Sequence, residues 1–200
     1  MKRALISFLL LFLIFTSTQK KAVAYSSDPE KFIGEIIDEA KVILSSSSSQ
    51  DIKAEQLSKI ALKTVDVKGL AYYTLGKKRK EITPEELKKY EELFEKYFLK
   101  SFTSRLTDYS DPKISVLSAE IVNEKYTIVK TMLLKTDKKP EVKIDWRVYT
   151  KDPNNPLIRD LIVEGLSLAR TQKEEFASIL SSNNNDINVL FVTLEEFVTK

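Results

Sequence analysis

Two absences limit the chemistry that this chain could perform. The 200-residue sequence contains no Cys and no His. Ser-His and Cys-His nucleophilic sites, general catalysis by His, and the usual zinc and copper sites all need residues that the sequence lacks. Only carboxylate, Lys, Tyr or Ser-Lys chemistry remains. The sequence also has no phosphate-binding glycine loop, no nucleophile elbow and no metal-ligand spacing. We predict no catalytic residue, no metal site and no cofactor.

The carboxylates leave one enzymatic alternative open. A hydrolase or isomerase without His could use Asp145 or Asp160, which lie in segments with the residue pattern of strands. Such a carboxyl needs a raised pKa and a polar pocket. The alternating stripe from Val142 to Val148 that would line this pocket is apolar on its inward side. We therefore rank an enzyme last among the possible functions.

The stretch from Thr83 to Tyr109 predicts one long helix that positions many aromatic side chains. Thr83 is placed as the N-cap, Pro84 as the first helical residue, and Glu86 completes a capping box. At ~100° per residue, one arc covering more than half of the circumference carries the large side chains. They are Leu87, Tyr90, Leu93, Phe94, Tyr97, Phe98, Phe102, Leu106 and Tyr109.

A face this wide must be covered from two directions, and two interpretations stay open. The helix could be plain core between a sheet and other helices, or it could have protein on one side and a bound apolar ligand on the other. Arg105 projects near the middle of this face. It could hold an anionic head group at a pocket mouth, or it could extend to solvent or to carbonyls at the helix end.

The first 24 residues have the layout of a secretory signal peptide. Lys2 and Arg3 precede a mostly apolar run at 4–15, and small residues around Ala24 mark the expected cleavage site. Twelve apolar residues are fewer than the ~20 of a spanning helix, so cleavage is favoured over a membrane anchor. Without the four basic residues of this segment, the formal net charge of +3 becomes −1. The predicted mature domain, residues 25–200, therefore has no electrostatic reason to bind nucleic acid.

The remaining pattern predicts helices, then strands, then helices. Helices are expected from Asp28 to the serines at 45–49, from a cap at Asp51, and from Asp66 to Gly76. Strands are expected at 113–123, 125–136, 141–150 and 157–165, and two further helices follow, the first capped by Ser167. This order predicts an α+β fold in which an antiparallel sheet of about four strands packs against several helices.

Three blocks of residues together resemble the MlaC family of periplasmic phospholipid carriers, also called toluene-tolerance proteins. The blocks are Asp66 with Leu75-Gly76; Thr83-Pro84-Glu85 with Phe94, Leu99, Phe102 and Leu106; and residues 163–168 (VEGLSL) with Phe176 and Ile179-Leu180. The resemblance covers nearly all of the predicted mature chain. Its most specific part is the VEGLSL junction followed by Phe176.

The resemblance implies a soluble periplasmic phospholipid carrier and not an enzyme. Such a protein carries one diacyl phospholipid between an inner-membrane ABC transporter complex with MCE domains and an outer-membrane lipoprotein complex, and so maintains the lipid asymmetry of the outer membrane. It touches membranes only transiently, through these partners. The acyl chains lie in an apolar cavity between sheet and helices. The alternative is an envelope scaffold module that binds proteins and has no ligand.

We predict which residues line this cavity. From the long helix, Phe94, Phe98 and Phe102 are expected to contact the acyl chains, with Arg105 near the head group. From the sheet and the junction after it, the predicted lining residues are Val129, Leu133, Ile144, Trp146, Val163 and Leu166.

Overall fold

The computed structural model of the chain describes residues 25–136 and 140–200. The predicted signal peptide, residues 1–24, lies outside the described residues. In the part of the chain that is described, no helix has both the length and the apolar character needed to cross a membrane.

The described residues form six α-helices and five strands in the predicted order of helices, strands and helices. The helices are α1 (Pro29–Leu44), α2 (Gln50–Thr64), α3 (Val67–Leu75), α4 (Pro84–Leu106), α5 (Leu168–Ser181) and α6 (Ile187–Thr199). The strands are β1 (Ile114–Asn123), β2 (Tyr126–Leu133), β3 (Val142–Tyr149), β4 (Leu157–Val163) and β5 (Leu166–Ser167). A short 3₁₀ helix, Gly76–Lys80, follows α3. The α+β prediction is confirmed, with five strands where about four were expected.

The sheet is an antiparallel meander in the order β1-β2-β3-β4-β5. The fifth strand arises from a two-residue turn between β4 and β5. Glu164 and Gly165 both have positive φ, 49° and 84°, and this turn geometry matches the twist of a hairpin. The segment predicted as one strand over 157–165 therefore ends at Val163, and the chain reverses to pair Leu166 with Val163.

Helix α4 begins as the sequence predicts. The Thr83 hydroxyl accepts from the backbone N–H of Glu86 at 3.2 Å, and the Glu86 carboxylate accepts from the N–H of Thr83 at 2.8 Å. The helix ends at Leu106 instead of Tyr109. Pro112 disfavours helical backbone at Asp111, so the helix cannot continue into β1.

The predicted cap of α2 was wrong. Ser49, the last of the five serines, is the N-cap, and its hydroxyl accepts from the N–H of Ile52 at 3.4 Å. Asp51 lies within the first turn, where a negative charge is favoured by the helix dipole. The Ser49 side chain is short enough to reach a free backbone N–H of the first turn. The last residue of the serine segment therefore caps α2.

Helices α1 and α2 pack on one face of the sheet, which we call the inner face. The buried residues of this sheet core are Phe32, Ile33, Ile36, Ile37, Ile60, Val129, Val148 and Ile158. Half-buried side chains at its border include Ile114, Val116 and Trp146. The inner face is therefore fully covered at the positions of Val129, Val148 and Ile158.

Helices α3, α4, α5 and α6 form a second, helical core. Its buried residues are Val67, Leu70, Ala71, Leu75, Tyr90, Leu93, Phe94, Phe176, Leu180, Ile187, Leu190, Phe191 and Leu194. Tyr90 is fully buried at the centre, and its hydroxyl is 2.8 Å from the Thr74 hydroxyl. Half-buried Val65, between α2 and α3, contacts both cores.

Candidate functional site

The sheet register brings the six predicted lining residues of the sheet and junction onto one face. Val129 pairs with Trp146, Ile144 pairs with Val163, and Val163 also pairs with Leu166. The sixth, Leu133, pairs with Val142 at the far end of β2. Directly paired residues of antiparallel strands project from the same side of the sheet, and so do residues two apart on one strand. Since Val129 belongs to the sheet core, this side is the inner face.

Exposure rises along this set of residues. Val129 is 0% exposed, Leu133, Ile144, Trp146 and Val163 are half-buried, and Leu166 is 59% exposed. The inner face is thus closed by α1 and α2 at one side and partly open toward β5. An apolar row that is only half covered is unusual for a plain core, because exposed apolar surface costs free energy.

A hydrogen-bond chain fixes the orientation of the Trp146 side chain. Its indole Nε1 donates to the Thr131 hydroxyl at 2.9 Å, and that hydroxyl donates to the Ile144 carbonyl at 2.8 Å. Thr131 is only 1% exposed. The indole N–H therefore has its partner within the sheet, and the apolar ring is left on the inner face.

The three predicted phenylalanines of α4 form one stacked row with two kinds of surroundings. The ring centroids of Phe94 and Phe98 are 6.4 Å apart, and those of Phe98 and Phe102 are 5.8 Å apart. Phe94 is 3% exposed and also meets Phe176 edge-on at 6.4 Å. Phe98 and Phe102 are half-buried. The row thus leads from the helical core to the less covered second half of the helix.

Arg105 is exposed near the end of this row. In the described part of the chain its side chain forms no hydrogen bond or ion pair. The pKa of Tyr97 is raised above its usual value, chiefly because burial disfavours the phenolate, and the charge of Arg105 acts against this shift. The Arg105 guanidinium is therefore exposed and available to an anion.

A polar junction between α3 and β4 was not predicted from the sequence. Arg159 donates to one oxygen of Asp66 from both Nε and Nη2, each at 2.7 Å, and donates from Nη1 to the Tyr126 hydroxyl at 3.2 Å. Its guanidinium carbon lies 3.5 Å from the ring centroid of Tyr149. The other Asp66 oxygen caps α3 by accepting from Gly69 N–H at 2.9 Å.

This junction fixes the start of α3 to the sheet. The residue Gly69 is needed because a Cβ there would lie 2.3 Å from the Asp66 carboxylate. The available signal was a pair of adjacent charged residues, Arg159 and Asp160, inside an otherwise apolar strand. The partner of Arg159 lies 93 positions away, and no local pattern links the two.

Of the two aspartates of the enzymatic alternative, Asp160 has clear structural partners. Asp160 is 6% exposed, and its two oxygens accept from the Ser167 hydroxyl at 2.6 Å and from the Ala169 N–H at 3.0 Å. Asp145 pairs in register with Lys130 on the neighbouring strand. The Asp160 carboxylate therefore ties the first turn of α5 to β4, beside the Ser167 cap that the sequence predicts.

Comparison with known proteins identifies a family. The family model described as MlaC protein matches residues 34–196, and a search of curated proteins finds no match. A solved phospholipid-binding protein from Ralstonia solanacearum, in complex with a phospholipid, is similar with a TM-score of 0.71 and 17% identity. The match covers 84% of this chain and 94% of that one, which shows a shared fold. Because the family model spans most of its length, the chain belongs to the MlaC family.

Proposed function

We propose that this protein binds one diacyl phospholipid, with the acyl chains between the inner face of the sheet and the second half of α4. The observation that carries the proposal is the half-open apolar row on the inner face, from buried Val129 to exposed Leu166. The phenylalanines Phe98 and Phe102 are the matching half-buried apolar groups on the helix side. Membership of the MlaC family and the phospholipid held by a protein of the same fold support this assignment.

The energetics favour an enclosed site of this kind. Two acyl chains contain roughly 30 methylenes, so exposing them to water costs on the order of 24 kcal/mol at ~0.8 kcal/mol each. A carrier must replace the bilayer with an interior of similar apolarity. The inner face offers aliphatic side chains and the Trp146 ring, and the head group stays near solvent beside Arg105.

The same proposal includes transport in the periplasm. The lipid passes between an inner-membrane ABC transporter complex with MCE domains and an outer-membrane lipoprotein complex, which serves outer-membrane lipid asymmetry. Binding and release of an intact lipid need no catalytic residue. Because transfer from one apolar environment to another is nearly isoenergetic, the direction of transport must come from these partners.

Native mass spectrometry of the exported protein, purified without detergent, tests the lipid site directly. The informative variant is Leu166→Asp, because Leu166 is 59% exposed and its replacement removes little of the core. A matched control is Val42→Asp, since Val42 is 74% exposed on α1. We expect one diacyl phospholipid per chain in the unmodified protein and in Val42→Asp, and a loss of at least half of it in Leu166→Asp.

Two results would contradict the proposal. An unmodified protein that carries no lipid, and takes up none from phospholipid vesicles, would leave the envelope scaffold module without ligand as the better account. Full lipid occupancy in Leu166→Asp would remove the open end of the inner face from the site.

A further inference from the structure

A polar pocket lies on the opposite, outer face of the sheet, where α3 and α5 pack on β4. Its volume is about 320 Å³. Successive residues of a strand point to opposite faces, so Arg147, between inward-facing Trp146 and Val148, points outward. Its charged lining residues are Arg79, Arg147, Arg159 and Asp160, and its tyrosines are Tyr72, Tyr73 and Tyr126. We call this the arginine pocket.

The acidic groups near the arginine pocket are already engaged. Asp66 neutralises Arg159 through two contacts of 2.7 Å. Asp160 accepts hydrogen bonds with both of its oxygens, from Ser167 and from the α5 backbone. Within the described residues, the side chain of Arg147 has no hydrogen-bond or ion-pair partner. Arg79 has one long contact, 3.4 Å to the Tyr72 carbonyl.

The free polar groups of the pocket are donors. The Tyr126 hydroxyl accepts from Arg159, so its own proton remains available to a ligand. Lys173 adds a further positive charge at the rim, with its ammonium 4.9 Å from the ring centroid of Tyr73. Arg79, Arg147, Arg159 and Lys173 bring four positive charges to the pocket, against the two carboxylates Asp66 and Asp160. This positive balance favours an anion, and the planar guanidinium fork suits phosphate oxygens.

We propose that the arginine pocket binds a phosphate group, with Arg147 and Arg79 as its charged contacts and the Tyr126 hydroxyl as a neutral donor. Arg159 stays held by Asp66 and stacked on Tyr149, and it keeps the Tyr126 hydroxyl in place. The phosphate could belong to a free phosphate ester or to a lipid head group at a membrane surface. The pocket is separate from the inner face, so this inference does not depend on the proposed lipid cavity.

Two binding assays on the exported, purified protein distinguish these sources. Glycerol 3-phosphate is titrated calorimetrically at low ionic strength, and co-sedimentation compares phosphatidylcholine vesicles with and without phosphatidic acid. The variant is Arg147→Gln, and Lys63→Gln is the control because Lys63 is an exposed residue of α2 that loses the same charge. Removing one charge-assisted contact weakens binding by about tenfold or more.

Saturable binding of glycerol 3-phosphate that weakens at least tenfold in Arg147→Gln, but not in Lys63→Gln, supports the inference with a free ester as ligand. The same pattern seen only with phosphatidic acid vesicles supports it with a lipid head group as ligand. Binding to neither probe, or an equal loss in both variants, overturns it. The copurified phospholipid measured by mass spectrometry is expected to be unchanged in Arg147→Gln, so failure here is distinct from failure of the lipid cavity.

Discussion

The two halves of α4 carry the same kinds of side chain in different surroundings. Tyr90 and Phe94 are buried among α3, α5 and α6, whereas Phe98 and Phe102 continue the same stacked row and are only half-buried. The comparison teaches that an amphipathic pattern specifies which face of a helix turns inward. It does not specify how completely neighbouring elements cover that face, and the proposed site lies where coverage is incomplete.

The strongest test of this comparison replaces one phenylalanine in each half. Phe94→Ala is expected to lower the free energy of unfolding by about 3–5 kcal/mol, because it leaves a cavity in a closed core. Phe102→Ala is expected to cost about 1 kcal/mol in lipid-free protein, since the half-exposed ring has less to lose. Urea unfolding of delipidated protein measures both. Equal losses would mean that the two halves of the helix are covered alike.

A second pair of substitutions compares a closed and a partly open position on the inner face of the sheet. Val129→Ala removes two carbons from a fully buried position, and the expected loss of unfolding free energy is about 2 kcal/mol. Val163→Ala, at a half-buried position of the same face, is expected to cost less than about 1 kcal/mol in lipid-free protein. Adding phospholipid should widen the effect of Val163→Ala more than that of Val129→Ala, because protein already covers Val129 completely. Thermal unfolding with and without lipid gives both values.

The smallest effect concerns alkaline pH and the helical core. Burial raises the pKa of Tyr90, and this outweighs the opposite effect of its hydrogen bond with Thr74. Above pH ~10 the unfolded chain releases the Tyr90 proton while the folded chain keeps it, so stability falls as pH rises. The slope for one such tyrosine is at most about 1.4 kcal/mol per pH unit.

Tyr90→Phe separates this contribution from the rest of the protein. The variant loses about 1 kcal/mol at neutral pH through the missing hydrogen bond to Thr74. Its unfolding free energy should then decline less steeply between pH 10 and 11 than that of the unmodified protein. Identical slopes would indicate that Tyr90 is not closed off from solvent.

Features encoded within a few residues were predictable from the sequence. The capping box at Thr83 and Glu86 and the helix from Asp66 to Gly76 are confirmed. The strict alternation from Val142 to Val148 specified which residues share the inner face, because a strand has a period of two. The predicted lining residues of the sheet follow from that same periodicity.

Features that depend on distant partners were missed. Arg159 and Asp66 meet only after the chain has folded back on itself, and nothing near either residue identifies the other. The sequence predicted one continuous strand across the turn at Glu164 and Gly165. Positive φ at a glutamate is rare and has no sequence signal of its own. Ser49 and Asp51 are equally suitable N-cap residues, so the sequence alone did not decide which of them begins α2.

Strand β4 carries the links that tie the helical core to the sheet. Asp66 N–H donates to the Ile158 carbonyl at 2.9 Å, the Asp66 carboxylate holds Arg159, and Asp160 holds the first turn of α5. We expect such a strand to allow small rotations of the helical core relative to the sheet. Small rotations about it would change the distance between α4 and the inner face while these anchors stay intact. Lipids of different bulk would then be accommodated by a change of angle instead of a repacking of either core.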